Sequence, residues 1–326
     1  MRISILGAGA WGTTLAKHLH SAGHAITLWD NDTRNLLSIP TTGRNAKYLP
    51  EIEIPRDIRI EPDLQKTVIA CDVVVMAVPS FAFRRVSETL RDFDGIVVSV
   101  TKGIEYESGL TMSGILSSTA PKARCVALSG PTLALEVARG IPTAAVAASR
   151  NLTDAEQVQQ LFHRPFFRVY TGNDILGVEL GGALKNVVAI AAGVCDGLGF
   201  GDNSKAALVT RAVAEIRRLG VACGARAETF AGLSGIGDLV VTCFSKLSRN
   251  RTLGERLGRG EKLSDILTST VTVAEGYPTS RAAHALARRL GVYTPIMDEV
   301  YAMLYENKRA EAALHDLVNR EAKPEY

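Results

Sequence analysis

Arg2-Ile3-Ser4-Ile5-Leu6-Gly7-Ala8-Gly9-Ala10-Trp11-Gly12 opens the chain and decides the reading of everything after it. Ile3, Ile5 and Leu6 form a short apolar run with strand character, Gly7 to Gly12 spell G-x-G-x-x-G, and Leu15, Ala16 and Leu19 recur at helical spacing. Strand, glycine turn and helix in that order make a phosphate cradle. Gly7 allows the tight turn, Gly9 lets the backbone approach a pyrophosphate, and Gly12 lets helix and strand pack closely, with the helix N-terminus facing the anion. A glycine loop alone also fits an ordinary turn, but a second apolar run, Ala25 to Trp29, follows and ends in Asp30. That carboxylate stands where a dinucleotide fold hydrogen-bonds the adenosine ribose, while Arg34 a few residues on is placed to meet a 2′-phosphate. NAD and NADP therefore both remain open as the cofactor.

Outward from that stretch, strands and helices alternate. Strand candidates are Ile3 to Leu6, Ala25 to Trp29, Ile58 to Ile60, Val73 to Val78, Ile96 to Val100, Cys125 to Leu128, Thr143 to Ala147 and Phe167 to Tyr170. Amphipathic stretches such as Phe81 to Leu90 and Thr153 to Phe162 lie between them. This is the pattern of an α/β fold: an N-terminal, Rossmann-like, doubly wound and mostly parallel sheet over residues 1–173. The stretch from Pro40 to Pro55 reads as an irregular loop beside the cofactor cleft, where Tyr48 can pack over a ring. After Asp174 the strand signals fade. Asp174 is an N-cap candidate for a long apolar helix running to about Gly193, and helical patterns follow at Lys205 to Leu219, Ala274 to Leu290, Ile296 to Tyr305 and Ala310 to Val318. Residues 174–326 thus form an all-helical substrate domain, ending in a frayed stretch from Glu321 to Tyr326.

Composition limits the function classes. With 46% hydrophobic and 22% charged residues the chain is that of an ordinary globular protein, and a net charge of +3 spread along it does not call for nucleic acid. Five cysteines without C-x-x-C spacing read as reduced thiols of a cytoplasmic protein. No stretch reads as apolar enough to span a membrane, and no leader precedes the first strand. His18, His20 and His24 read as a solvated helix end rather than a metal cluster, so no metal is expected.

Ligands of an open α/β sheet lie at the carboxyl ends of its strands, which directs attention to Val78-Pro79-Ser80, Thr101-Lys102-Gly103 and Ser129-Gly130-Pro131-Thr132. Lys102 follows a buried strand and can meet phosphate or carbonyl oxygen. In the long helix, Glu179, Lys185 and Asn186 interrupt an apolar run. A buried ammonium there needs a partner, and desolvation beside other cations makes it a proton donor or acceptor near neutral pH. Asp238, in Gly235-Ile236-Gly237-Asp238-Leu239, can orient that ammonium. Ser248 is an N-cap candidate, and Arg249 and Arg251 in the turn behind it oppose the helix dipole unless an anion docks there.

Taken together, Gly7 to Gly12, Thr101-Lys102-Gly103, Gly130-Pro131-Thr132, Glu179 to Asn186, Gly235 to Leu239, Ser248-Arg249-Asn250-Arg251 and Glu275-Gly276-Tyr277 resemble, in order and over nearly the whole chain, the bacterial NAD(P)-dependent glycerol-3-phosphate dehydrogenases. The resemblance implies reversible hydride transfer between NAD(P)H and dihydroxyacetone phosphate, giving sn-glycerol 3-phosphate for phospholipid synthesis. It implies Lys185 as the catalytic proton acceptor or donor, and Lys102, Gly130, Thr132, Asp238, Ser248, Arg249 and Asn250 beside it on the substrate. On the cofactor it implies Ala10, Trp11, Tyr48, Lys102, Ala134, Arg249, Val273 and Glu275, with Gly7, Gly9 and Gly12 cradling the pyrophosphate. Ala10 departs from the serine frequent in the family, removing one hydroxyl contact with phosphate. A homodimer through the helical domain is expected. Two other readings are a related two-domain hydroxy-acid dehydrogenase and a non-catalytic NAD(P)H sensor; a sensor has no need of a proton donor beside a phosphate grip.

Overall fold

The computed structural model describes every residue of 1–326 except 70, 271, 272, 323, 325 and 326. Its first half is built from β1 (Arg2–Leu6), α1 (Ala10–His20), β2 (Ala25–Trp29), α2 (Thr33–Thr42), β3 (Arg44–Asn45), β4 (Leu49–Glu53), β5 (Arg59–Ile60), α3 (Leu64–Val68), β6 (Val73–Met76) and α4 (Ser80–Ser87). There follow β7 (Ile96–Ser99), α5 (Met112–Thr119), β8 (Arg124–Ser129), α6 (Ala134–Ala138), β9 (Thr143–Ala148), α7 (Leu152–Phe162) and β10 (Phe167–Gly172). Eight strands make one sheet in the order β10-β9-β8-β7-β6-β1-β2-β5, parallel throughout except where β8 meets β9. Chain order reverses between β1 and β6, so the glycine loop after β1 opens at the switch point where such sheets bind dinucleotides.

The two-residue period of the strands divides the core. Ile3 and Ile5 join Ile26, Leu28, Val73, Val75 and Val98 on one face, against Leu15 and Leu19 of α1. Leu6 joins Val74, Met76 and Val97 on the other, against Phe83 of α4 and Leu116 of α5. Every expected strand is present. The sixth ends at Met76 rather than Val78, because Ala77 and Val78 already turn against Gly7. The expected loop at 40–55 is instead ordered: α2 continues through Pro40, which takes a place the ring should disfavour, and β3 and β4 form a small antiparallel pair.

The second half begins with α8 (Ile175–Gly197), capped by Asp174, whose side chain accepts from Gly177 N–H. Around it lie α9 (Asp202–Ala222), α10 (Asp238–Phe244), α11 (Arg249–Gly258), α12 (Leu263–Ser269), α13 (Gly276–Leu290), α14 (Pro295–Tyr305) and α15 (Ala310–Val318). The helix expected after Ser248 is present as α11, whereas α10 and α12, each seven residues long, were not expected. Contrary to the expectation that no segment is apolar enough, α8 has the length and composition to cross a bilayer; 94% of its apolar window is buried inside the protein, making it a core rod. His18 also departs from its expected solvated place. It is buried among Phe162, Phe166 and Phe167, with Nε2 2.7 Å from Phe162 O, and burial lowers its pKa. The expected fraying of 321–326 falls in part outside the described residues.

Candidate active site

Three glycines of the first loop are used differently. Gly7 has φ +114°, and a Cβ there would stand 2.6 Å from Ala77 O; a Cβ at Gly12 would stand 1.8 Å from Gly7 O. Around Gly9 nothing lies within 4 Å of an added Cβ. Beside that open space α1 begins, with no capping side chain and no acidic residue in its first turn, so the N–H groups of Ala10 and Trp11 face it without intrahelical partners. The shape and the sign of the field both fit a pyrophosphate.

The loop is braced from outside. Asp30 accepts from Ala8 N–H at 2.6 Å through one carboxylate oxygen and from Asp32 N–H at 2.8 Å through the other. Asn45, fully buried in the small hairpin, donates to Ala8 O at 2.7 Å and to Thr13 Oγ1 at 2.9 Å, and its own oxygen accepts from Tyr48 N–H at 3.2 Å. No pattern in the sequence marks Asn45, because its role arises only when the hairpin folds back on the loop. Through it Tyr48 is held next to the cradle, with Lys47 over its ring at 4.9 Å. Arg34 is exposed in the first turn of α2.

At the carboxyl ends of the strands two ammonium groups share one carboxylate. Lys185 Nζ, on α8, donates to Asp238 Oδ1 at 2.8 Å; Lys102 Nζ, following β7, donates to Asp238 Oδ2 at 2.6 Å and to Gly130 O at 3.1 Å. Lys185 is 6% and Asp238 1% exposed, so both are removed from bulk water. Burial pulls the Lys185 pKa from 10.5 down to about 8; Asp238 opposes this, and Lys102 adds to it. Lys185 Nζ also donates to Thr242 Oγ1 at 2.6 Å, and Thr242 in turn donates to Asp238 O at 2.6 Å. Thr242 escaped the sequence reading, although four residues after Asp238 on a helix is the spacing that puts both on one face. The Lys102 stem passes beside Gly182 of α8, where an added Cβ would meet it at an ordinary 3.5 Å but would stand only 2.8 Å from Ser129 Oγ. Glu179, the other charge on α8, is spent elsewhere, accepting from Thr111 Oγ1, Ser113 Oγ and Ser113 N–H, and burial raises its pKa.

A second group adjoins the first. Ser248 caps α11 by accepting from Arg251 N–H at 3.2 Å, and that helix has no acidic residue in its first turn. Arg249 is exposed and, among the described residues, has neither hydrogen bond nor ion pair. It lines a cavity with Val273 and Tyr277; the two lysines are not among its walls. Asn250 is buried, donating to Asn186 Oδ1 at 2.8 Å and accepting from Gly276 N–H at 2.9 Å, so its amide is largely committed within the protein. Glu275 accepts from Ser80 N–H at 3.0 Å and Ser80 Oγ at 2.5 Å, and burial raises its pKa. A Cβ on Gly103, next to Lys102, would stand 2.9 Å from Ser80 Oγ, so this turn packs against the residue that Glu275 holds. Thr132 donates to Gly130 O at 3.2 Å, and Ala134 O accepts from Thr14 Oγ1 of α1 at 3.1 Å, tying this strand end to the glycine loop.

Two family models match: the N-terminal domain of NAD-dependent glycerol-3-phosphate dehydrogenase over residues 2–155 and its C-terminal domain over 174–315. The chain belongs to the NAD-dependent glycerol-3-phosphate dehydrogenase family. It is 47% identical over 331 residues to the glycerol-3-phosphate dehydrogenase [NAD(P)+] of Chlorobium phaeobacteroides (strain BS1), covering 100% of this chain and 99% of that one. With the same enzyme of Prosthecochloris aestuarii it shares 48% over 332 residues, covering 100% of both. The crystal structure of glycerol-3-phosphate dehydrogenase from Coxiella burnetii superimposes with a TM-score of 0.94 at 35% identity, covering 98% of this chain and 99% of that one. In this dehydrogenase the residues expected around the substrate thus fall into an amine cluster and a helix-start cluster, joined by the Asn186–Asn250 hydrogen bond.

Proposed function

We propose that the chain interconverts dihydroxyacetone phosphate and sn-glycerol 3-phosphate with Lys185 as the proton donor and acceptor. The observation that carries this reading is the Lys102–Asp238–Lys185 cluster: two ammonium groups on one carboxylate, the buried one with its pKa brought to about 8. Bound at the glycine cradle, a nicotinamide dinucleotide supplies or accepts the hydride. Reduction of the ketone builds negative charge on its oxygen, which Lys102 and Lys185 neutralise, and the Lys185 ammonium delivers the proton. In oxidation the neutral Lys185 amine takes the proton from the hydroxyl. Asp238 and Thr242 keep the amine pointed at the strand ends through both states. Arg249 and the first-turn N–H groups of α11 grip the phosphate, turning binding at the far end of the substrate into alignment of the reacting carbon.

Asn250 contributes through its backbone and its hold on Asn186 and Gly276, while Gly130, whose carbonyl accepts from Lys102 and from Thr132, borders the amine cluster. Gly7, Gly9, Ala10, Trp11, Gly12, Tyr48, Ala134, Val273 and Glu275 surround the cofactor. We divide the chain at residue 173, since β10 ends at Gly172 and α8 starts at Ile175. A cytoplasmic enzyme is supported by five free cysteines, and a homodimer through the helical domain by analogy with the family. The deciding experiment is loss of NADH and NADPH absorbance with dihydroxyacetone phosphate and with unphosphorylated dihydroxyacetone. Turnover of the phosphorylated ketone at much lower concentration is expected. Activity only on hydroxy acids, or cofactor binding without turnover, overturns the reading in favour of the hydroxy-acid dehydrogenase or the sensor.

A further inference from the structure

α11 is fixed on α8 by the Asn186–Asn250 hydrogen bond in its first turn and by two further devices. The first is steric. A Cβ at Gly193 of α8 would stand 1.9 Å from Arg251 O, and one at Gly254 of α11 would stand 1.9 Å from Ile190 O, so the two backbones touch with no side chain between them. Gly197 and Gly258 repeat the contact one turn on: a Cβ at Gly197 would stand 2.8 Å from Gly258 Cα. This sets the distance between the helices.

The second device is ionic. Arg251 Nε lies 2.6 Å from Asp196 Oδ2, near the C-terminal end of α8, an ion pair of two buried atoms outside hydrogen-bond alignment, and Arg251 Nη1 lies 3.4 Å from Glu255 of its own helix. Lys205 of α9 pairs with the other oxygen, Asp196 Oδ1, and its ammonium sits 5.1 Å from the Phe244 ring centre. The Arg251, Lys205 and Asp196 side chains are 11%, 9% and 14% exposed, so removing one partner leaves charges without water to replace it. Smooth glycine faces do not prevent a helix from turning about its own axis. The Asn250 amide, bonded to Asn186 and Gly276, and the guanidinium paired at residue 251 do so together, and because an α-helix advances about 100° per residue, fixing residues 250 and 251 also fixes the direction in which residue 249 leaves the helix.

We propose that Asp196 is a positioning residue: through Arg251 it sets the rotation of α11, aims Arg249, and thereby determines the affinity for the phosphate of the substrate. The inference rests on Arg249 being the phosphate grip. It is tested on the full-length enzyme with Asp196→Asn and Arg251→Lys, measuring kcat and KM for dihydroxyacetone phosphate and kcat/KM for unphosphorylated dihydroxyacetone. Each variant is expected to raise KM for the phosphorylated substrate about tenfold, with kcat within about threefold of wild type and kcat/KM for the unphosphorylated ketone unchanged. In an Arg249→Ala background Asp196→Asn is expected to raise KM no further, since its effect passes through that guanidinium. If Asp196→Asn does not fold, Arg251→Lys, which keeps the charge, decides. Equal losses on both ketones, or additive losses in the double variant, overturn the positioning role, as does an unchanged KM. An Arg249→Ala enzyme with wild-type KM overturns the phosphate reading itself and this inference with it.

Discussion

At the scale of single residues the account turns on Asp238, because one carboxylate serves two amines. Changing Lys185 to Met leaves Asp238 still paired with Lys102 at 2.6 Å, so the fold should tolerate the loss while proton transfer does not. Thermal melting within a few degrees of wild type is expected, and a melt lowered by far more would show that the pair holds the domains together. Asp238→Asn acts in the other direction. Asp238 raises the Lys185 pKa against burial and Lys102, so its neutralisation lowers that pKa below about 8, and the alkaline fall in dihydroxyacetone phosphate reduction moves to lower pH. A pH–rate profile with the limb unmoved, or moved upward, would contradict this. For the cofactor, Arg34→Ala should raise KM for NADPH about tenfold more than for NADH if its exposed guanidinium meets the 2′-phosphate. Lys102, Lys185, Asp238 and Arg249 were legible in the sequence because charges in apolar or glycine-rich surroundings stand out. Asn45 and Thr242 were not: an amide in a presumed loop and a hydroxyl on an unrecognised helix carry no charge to attract notice.

Elements were legible in proportion to their hydrophobic period. The buried parallel strands and the long helix stood out, whereas α10 is held by the polar contacts of Asp238 and Thr242, α11 by close backbone approach at Gly254 and Gly258, and α12 buries a single large apolar side chain, Ile266. The hairpin of β3 and β4 was hidden by two prolines and a glycine. The α8–α11 contact gives a direct test: in Gly254→Ala the new methyl meets Ile190 O at 1.9 Å and the helices must separate, at a cost of about 1–3 kcal/mol in chemical denaturation. Wild-type stability would mean that the helices are not in backbone contact. Glu215 of α9 offers a second test. Its buried carboxylate accepts from Ile296 N–H at 2.9 Å and from Met297 N–H at 3.3 Å at the start of α14, and burial raises its pKa to about 7. The folded protein therefore binds more protons than the unfolded chain between about 4.5 and 7, and this group's contribution is lost as pH rises through that window. Against Glu215→Gln, wild type should lose relative stability from pH 5 to pH 8 in melting experiments; a constant difference would contradict the assignment.

Over the whole molecule, the helical half closes on the strand ends of the sheet through polar bridges that include Lys102 to Asp238, Ser80 to Glu275, and Thr111 and Ser113 to Glu179. Two of these involve residues assigned to substrate or cofactor, so the contacts that join the halves also build the site. The sheet and its switch point could be read from the order of strands and glycines, but the bridges could not, since residues separated by 136 and 195 positions meet only after folding. The most direct measurement is steady-state reduction of dihydroxyacetone phosphate, followed by NADH absorbance, for wild type and Lys185→Met, with NADH binding titrated in parallel. A kcat lowered about 10²- to 10⁴-fold with NADH affinity retained is the predicted result, and a Lys185→Met enzyme turning over at the wild-type rate would contradict the account.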